Sequence, residues 1–332
     1  MMKKITFTLV ITLFFILFLE LFLRLIGFTP IEFNQKVVSK PEIPYTADSL
    51  GITLKRGTYK ININDHVYYK ATHNIESRRV TSNVPVHSLN KIIILGCSFA
   101  YGVGVNDEES FPFLLQTYLK EYEVENYSVP GSATIQSYLK LKKCLLKGDR
   151  PKIVVLSYAA FHEERNQLTR GFESNLFDGL KLHEGLALSK YFYPRCKIVN
   201  NNNIAIEYID ITKDFTPIPF KENFAIASFI DQMWNKIDDR KTTEFPISKI
   251  LFQDFQELAN QYHFKLIIAD VSQSNKFEDI KHFCVKRNIN YVNISPDFSL
   301  GNYTLAPYDY HPNKLAHKVY ALKLYEYINN LK

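Results

Sequence analysis

The pattern of apolar and polar positions changes character three times along this chain. No charged residue occurs from Ile5 to Leu19, and the apolar run continues to Phe28, interrupted only by Glu20 and Arg24. A helix over Ile5–Phe28 is about 36 Å long, enough to cross a bilayer core. From Thr29 to Asn90 the pattern is mixed, and TYKININDHVYY alternates like a pair of strands. From Lys91 onward, short apolar runs alternate with helical periodicity. Lys91–Leu95, Val124–Val129 and Lys152–Tyr158 read as buried strands. Between them, Ser110–Tyr122 and Thr134–Lys147 read as helices, the first capped by Ser110, with Phe111, Leu114, Leu115, Tyr118 and Leu119 at helical spacing. This βαβαβ order implies a parallel sheet with right-handed crossovers. The pattern lapses over about 161–245. It resumes with Pro246 opening a helix Ile247–Tyr262, then strand Phe264–Val271, helix Phe277–Lys286, strand Tyr291–Ile294 and a closing helix from about Asn313 to Ile328. Inside the lapse, Cys196–Asn200 and Ile204–Ile209 flank four asparagines and read as a hairpin, and Phe224–Ile237 as a helix carrying the single tryptophan, Trp234.

These elements predict an α/β protein with a flavodoxin-like three-layer α/β/α architecture and a mainly parallel sheet. The expected organisation is an N-terminal transmembrane signal anchor over 1–28, a pre-domain arm over 29–90 packed on the main sheet, and the α/β domain over 91–332 with an inserted subdomain at about 161–245. Lys3 and Lys4 before the apolar run favour a cytoplasmic N-terminus. No convincing small-x-small cleavage site follows it in LRLIGFTPIE. The expected location is therefore a single-pass membrane protein with its remaining domain outside the cytoplasm. Glu20 and Arg24 lie four apart and share a helix face where they can pair.

Composition refines this picture without changing it. The 332 residues are 46% hydrophobic and 22% charged, which suits a well-cored folded chain. The net charge of +6 is spread without a dense Lys/Arg run, so nucleic acid is not an expected partner. The four cysteines, Cys97, Cys144, Cys196 and Cys284, match no zinc spacing and read as free thiols. No cofactor or metal is expected: Gly96, Gly102 and Gly104 lack the lysine of a phosphate loop, and His162-Glu163-Glu164-Arg165 lacks the second histidine of a zinc protease helix.

Two segments carry chemistry. In KIIILGCSFAYGVGV the strand breaks at Gly96 and presents Ser98 just past its C-terminal end, where open α/β sheets place ligand crevices. Near the C-terminus, Asp309 and His311 stand two apart in PYDYHPN, after the last strand and before the closing helix. In an extended stretch they project to one side, and a carboxylate beside an imidazole fixes its tautomer and stabilises the imidazolium. Serine at one crevice loop and Asp/His at another is the arrangement used for nucleophilic acyl chemistry.

Gly96-Cys97-Ser98-Phe99-Ala100-Tyr101-Gly102 resembles the first block of the SGNH (GDSL-type) hydrolases. Asn126–Gly131, NYSVPG, resembles their second, and Asp309–Asn313, DYHPN, their last. The resemblance covers about Lys91 to Leu331 and implies a serine esterase or acyltransferase. Ser98 would be the nucleophile, the backbone N–H groups of Ser98 and Gly131 oxyanion donors, His311 the base and Asp309 its orienter. The family's third-strand block, Gly-x-Asn-Asp, has no match here. Phe161-His162 stand in its place, with His162, Arg165 and Asn166 as local donors, and His162 is the expected substitute. The last block also reads Asp-x-His where the family has Asp-x-x-His. The expected substrate is an O-acyl group of a cell-surface glycan. A lipid esterase or thioesterase using the same site, or a glycan-binding protein on a degenerate hydrolase fold, are the alternatives.

Overall fold

Strand β6 sets the frame of the fold, and the five strands before it pair in two small antiparallel sheets. The computed structural model describes residues 2–30, 36–182, 191–200, 203–239, 242, 244–273 and 277–331. Helix α1 (Met2–Leu25) is followed by strands β1 (Val37–Lys40), β2 (Tyr45–Asp48), β3 (Gly51–Leu54), β4 (Gly57–Ile63) and β5 (Val67–His73). The alternating TYKININDHVYY stretch is the β4–β5 hairpin, turning at Asn64 and Asp65, both at positive φ. With β1 it makes a three-stranded antiparallel sheet, while β2 and β3 pair separately. The arm joins the main sheet through Arg79, whose backbone bridges His73 on one side and Asn126 on the other.

The α/β core runs β6 (Lys91–Leu95), α2 (Ser98–Tyr101), α3 (Phe111–Tyr118), β7 (Glu123–Asn126), α4 (Thr134–Leu146) and β8 (Ile153–Tyr158). There follow α5 (His162–Gln167), α6 (Arg170–Leu182), the hairpin β9 (Phe192–Asn200) and β10 (Asn203–Asp210), α7 (Ile211–Asp214) and α8 (Ala225–Asp239). The core closes with α9 (Pro246–Tyr262), β11 (Lys265–Asp270), α10 (Phe277–Lys286), β12 (Asn290–Asn293) and α11 (Lys314–Asn330).

The five core strands are all parallel and ordered β12-β11-β8-β6-β7. In chain order this is the 2-1-3-4-5 arrangement, whose direction reverses between β6 and β8. Both sheet faces are covered, which is why the strands read as unbroken apolar runs. Ile93, Leu95, Val154, Leu156, Leu266 and Ile268 pack with α4, α9 and α10. The alternate positions Ile92, Ile94, Ile153, Val155, Ile267 and Ala269 pack with α3 and α11. Each fully buried aliphatic side chain of this kind stabilises the fold by about 1.5–3 kcal/mol.

At two boundaries that fall short of the sequence expectation, a side chain replaces the backbone. Helix α3 stops at Tyr118 instead of Tyr122, because the Gln116 amide donates to the Leu119 and Tyr122 carbonyls and accepts from the Val124 N–H. Ser110 occupies the N-cap position, but its hydroxyl donates to the Asp107 carbonyl instead of accepting from the helix. Strand β7 ends at Asn126 instead of Val129, because the Asn126 side chain accepts from the Ser128 N–H and turns the chain.

Candidate active site

The turn that presents Ser98 begins at Gly96, where β6 meets β8. A Cβ at Gly96 would stand 2.9 Å from Ser157 Cβ and 3.0 Å from the Ser157 carbonyl oxygen, and its φ of +156° is one that side chains rarely adopt. Ser98 opens the single turn α2 and is 5% exposed. The turn closes on its own carbonyl, which accepts from the Gly102 and Val103 N–H groups at 2.9 and 3.1 Å. Asn126, the first residue of the second block, donates to the Ala100 carbonyl at 3.1 Å, so the two blocks are tied together.

Arg79 is the residue that sequence reasoning missed. Its side chain is 0% exposed. The guanidinium donates to Asp107 Oδ1 at 3.0 Å, to the Val105 carbonyl at 2.6 Å, to the Lys70 carbonyl at 3.1 Å, and to the carbonyls of Tyr101 and Gly102. It also lies over the Tyr101 ring, 4.8 Å from its centroid. One planar fork therefore satisfies the carbonyls that leave the Ser98 turn, a geometry an ammonium cannot supply. The only sequence signal was an Arg-Arg pair in an arm of mixed pattern.

The loop carrying Asp309 and His311 precedes α11, whose N-cap Asn313 accepts from the Leu315 and Ala316 N–H groups and donates to the Asn302 and Thr304 carbonyls. Within it, one oxygen of Asp309 accepts twice from His311: from its backbone N–H at 2.7 Å and from ring Nδ1 at 2.5 Å. The shorter Asp-x-His spacing thus still brings carboxylate and ring together, through a local turn. Asp309 is 3% exposed and His311 26%. A carboxylate acceptor fixes Nδ1 as the protonated nitrogen and leaves Nε2 free to accept a proton. The His311 ring stands edge-on to Phe99, the residue after Ser98, with centroids 5.8 Å apart. This loop also leans on the arm: Asn64 donates to the Tyr308 carbonyl at 2.9 Å, and His66 stacks on the Tyr308 ring at 3.9 Å.

Gly131 lies in the loop after β7 at φ +76°, with open space where a Cβ would be. Its carbonyl accepts from the Tyr193 hydroxyl at 2.9 Å. The neighbouring Ser132 carbonyl accepts from Arg165 at 3.1 Å, and the Arg165 guanidinium is layered over Phe161 and Phe172.

The loop after β8 distributes its polar residues unequally. Glu163 caps α9, accepting from the Ile247 and Ser248 N–H groups, and burial raises its pKa. Asn166 accepts from the Ile135 N–H and donates to Ser248 Oγ. Both are committed to packing. Phe161 instead packs edge-on against Phe99, 5.4 Å between centroids. His162 is fully buried, and burial holds its pKa well below the usual 6.5, with Arg165 adding to the shift. Its Nδ1 is 3.4 Å from Thr134 Oγ1, and its Nε2 has no hydrogen-bond partner among the described residues.

No family model and no curated protein matches this chain. Solved structures similar to it include GDSL-type lipolytic proteins and an esterase. The esterase EstA from Pseudoalteromonas sp., solved with monoethylphosphonate, shares 15% identity over 73% of this chain and 98% of its own, with a TM-score of 0.41. A member of the lipolytic protein G-D-S-L family from Veillonella parvula shares 13% over 72% and 98%, with a TM-score of 0.39. A GDSL-like lipase from Bacteroides thetaiotaomicron shares 10% over 76% and 95%, with a TM-score of 0.38. The fold assignment itself rests on the strand order and parallel pairing described above.

Proposed function

We propose that this chain is a serine-dependent ester hydrolase or acyltransferase of the SGNH type, held to a membrane by α1 with its α/β domain outside the cytoplasm. The observation that carries this reading is the Asp309–His311 pair, bonded at 2.5 Å and standing against the residue that follows Ser98. His311 Nε2 removes the Ser98 hydroxyl proton as Oγ attacks an ester carbonyl. The oxyanion receives the N–H groups of Ser98 and Gly131. Collapse expels the alcohol, protonated by His311, and leaves an acyl-serine. Water or a sugar hydroxyl, deprotonated by the same imidazole, then takes the acyl group. His162 is assigned as the third oxyanion donor. A Thr134 hydroxyl donating to its Nδ1 makes Nε2 the N–H of a neutral imidazole, and that N–H lacks an acceptor among the described residues. The proposed substrate is an O-acyl group on a cell-surface glycan, a reading supported only by the proposed outward-facing location.

Labelling with an organophosphonate serine probe tests the reading. The folded wild-type chain is expected to be labelled and Ser98→Ala to be unlabelled. A folded wild type that resists the probe, or labelling that survives in Ser98→Ala, overturns it.

A further inference from the structure

Helix α8 has its amphipathicity inverted. The side buried against the protein is polar: Ser228 and Asp231 are buried, with Asn235 and Asp238 partly buried on the same side. The side facing out is apolar: Phe229, Ile230, Met233, Trp234 and Ile237 are all exposed, Trp234 at 53% and Ile237 at 57%. At 3.6 residues per turn these five fall on one stripe. The helix cannot turn over, because charges lock its polar side in place. Asp231 takes Arg170 at 2.7 Å, and Lys221, just before the helix, is buried against Asp178 at 2.8 Å and Ser174 at 2.7 Å. Arg170 also lies 4.4 Å over the Trp234 ring.

The stripe continues a second apolar surface. Helix α1 is exposed and apolar over most of its length and is, among the described residues, the one helix long and apolar enough to span a membrane. Its last turns dock on α8. Both carboxylate oxygens of Glu20 cap α8, accepting from the Ala225 and Ile226 N–H groups at 2.9 and 3.0 Å. Arg24 pairs with Glu20 at 2.7 Å and donates to the Asn223 carbonyl. Phe28 packs edge-on against Phe229, 5.4 Å between centroids. Lys4 to Glu20 is about 24 Å of helix, somewhat less than the ~30 Å hydrocarbon core. Glu20, and with it the first turn of α8, therefore stands just inside the far boundary of the bilayer. That is the depth at which interfacial amphipathic helices lie.

We propose that α8 is an interfacial membrane helix, its Phe229–Ile237 stripe seated in the acyl and headgroup boundary of the bilayer that α1 crosses. The proposal rests on the reading of α1 as a membrane span and is independent of the hydrolase reading. It gives the protein a second lipid contact and fixes its orientation on the membrane. Helix α6, which packs on α8, carries Phe172 to Arg165 and Tyr193, the two side chains that hold the Gly131 turn.

The sole tryptophan makes the test direct. The full chain is reconstituted in phosphatidylcholine–phosphatidylglycerol vesicles containing lipids brominated either high in the acyl chain or near its end. Trp234 emission is expected to be blue-shifted, to lose most of its intensity to the shallow bromines and less to the deep ones, and to resist aqueous iodide. Met233→Asp with Ile237→Asp is expected to reverse all three while α1 keeps the chain in the vesicles after alkaline washing. Emission open to iodide and blind to bromolipids in the wild type overturns the proposal. So does blue-shifted emission that ignores bromolipids and reddens on dilution, which assigns the stripe to a second copy of the chain. Extraction of the wild type by alkali overturns it through the reading of α1. If the double variant misfolds, the wild-type quenching still decides.

Discussion

At the scale of single residues, Asp309 acts on His311 in two ways, gripping both its backbone and its ring. Asp309→Asn keeps the shape but offers Nδ1 an amide in place of a carboxylate. On the proposed mechanism it is expected to lower kcat by about 10³–10⁴-fold with little change in KM, read by steady-state hydrolysis of a chromogenic ester. His162→Phe removes the assigned donor and is expected to lower kcat by about 10²–10³-fold; activity at the wild-type level in that variant would remove His162 from the site. His317 plays a different part. It is fully buried, its Nδ1 accepts from the Phe111 N–H, and burial pushes its pKa down to about 3. The folded chain keeps it neutral, while the unfolded chain protonates it below about 6.5. Stability is therefore lost as pH falls from about 6.5 toward 3, by up to about 1.4 kcal/mol per pH unit for this one group. His73, pushed by burial to about 4, adds to the same slope, whereas Asp270, raised by burial to about 6, opposes it. His317→Gln is expected to flatten the acid limb of a urea-midpoint-versus-pH curve by about one proton's worth. An unchanged limb would show that His317 does not set it.

At the scale of elements, the informative contrast is between segments whose meaning is local and segments whose meaning is not. Strand β6, the hairpin β9–β10 and α10 were legible because periodicity, asparagines and helix spacing act within a few residues. Ser98, Asp309 and His311 could be proposed for the same reason, each standing in a short block between periodic elements. Arg79 was not, since its partners Tyr101, Gly102, Val105 and Asp107 lie more than twenty residues away and its role exists only after folding. Nor was the inverted face of α8, because a stripe of apolar residues does not say which side the protein takes. The cost of losing Arg79 follows from what it holds. Arg79→Met leaves Asp107 uncompensated and several carbonyls without their donor, and is expected to destabilise the fold by about 3–5 kcal/mol in urea unfolding. Asp107→Asn keeps an acceptor for the Thr72 N–H and for Arg79, and is expected to cost less. A larger loss in Asp107→Asn than in Arg79→Met would mean that the carbonyl contacts contribute little.

At the scale of the whole molecule, the 2-1-3-4-5 strand order explains why residues far apart in sequence converge. Ser98 leaves β6 at the reversal point, the Gly131 loop leaves β7 beside it, and the loops after β8 and β12 complete the same edge. The capping of α8 by Glu20 then ties this body to α1. Glu20→Ala is expected to cost about 1 kcal/mol of local stability, seen as faster hydrogen exchange at the Ala225 and Ile226 amides with the core strands unchanged. Exchange at those amides equal to the wild type would mean that another group takes over the cap.

The hairpin turn at Asn64–Asp65 has a consequence for how the Ser98 and His311 loops can be recombined. Asn64 and His66 brace the Asp309–His311 loop, and Arg79 from the same arm braces the Ser98 turn. Both halves of the proposed site thus lean on strands that precede the first core strand. A chimera cut at Lys91 would inherit every residue of the three motifs and neither of their supports. The transferable unit begins at the arm, and any exchange of arms between related chains would retune both loops at once.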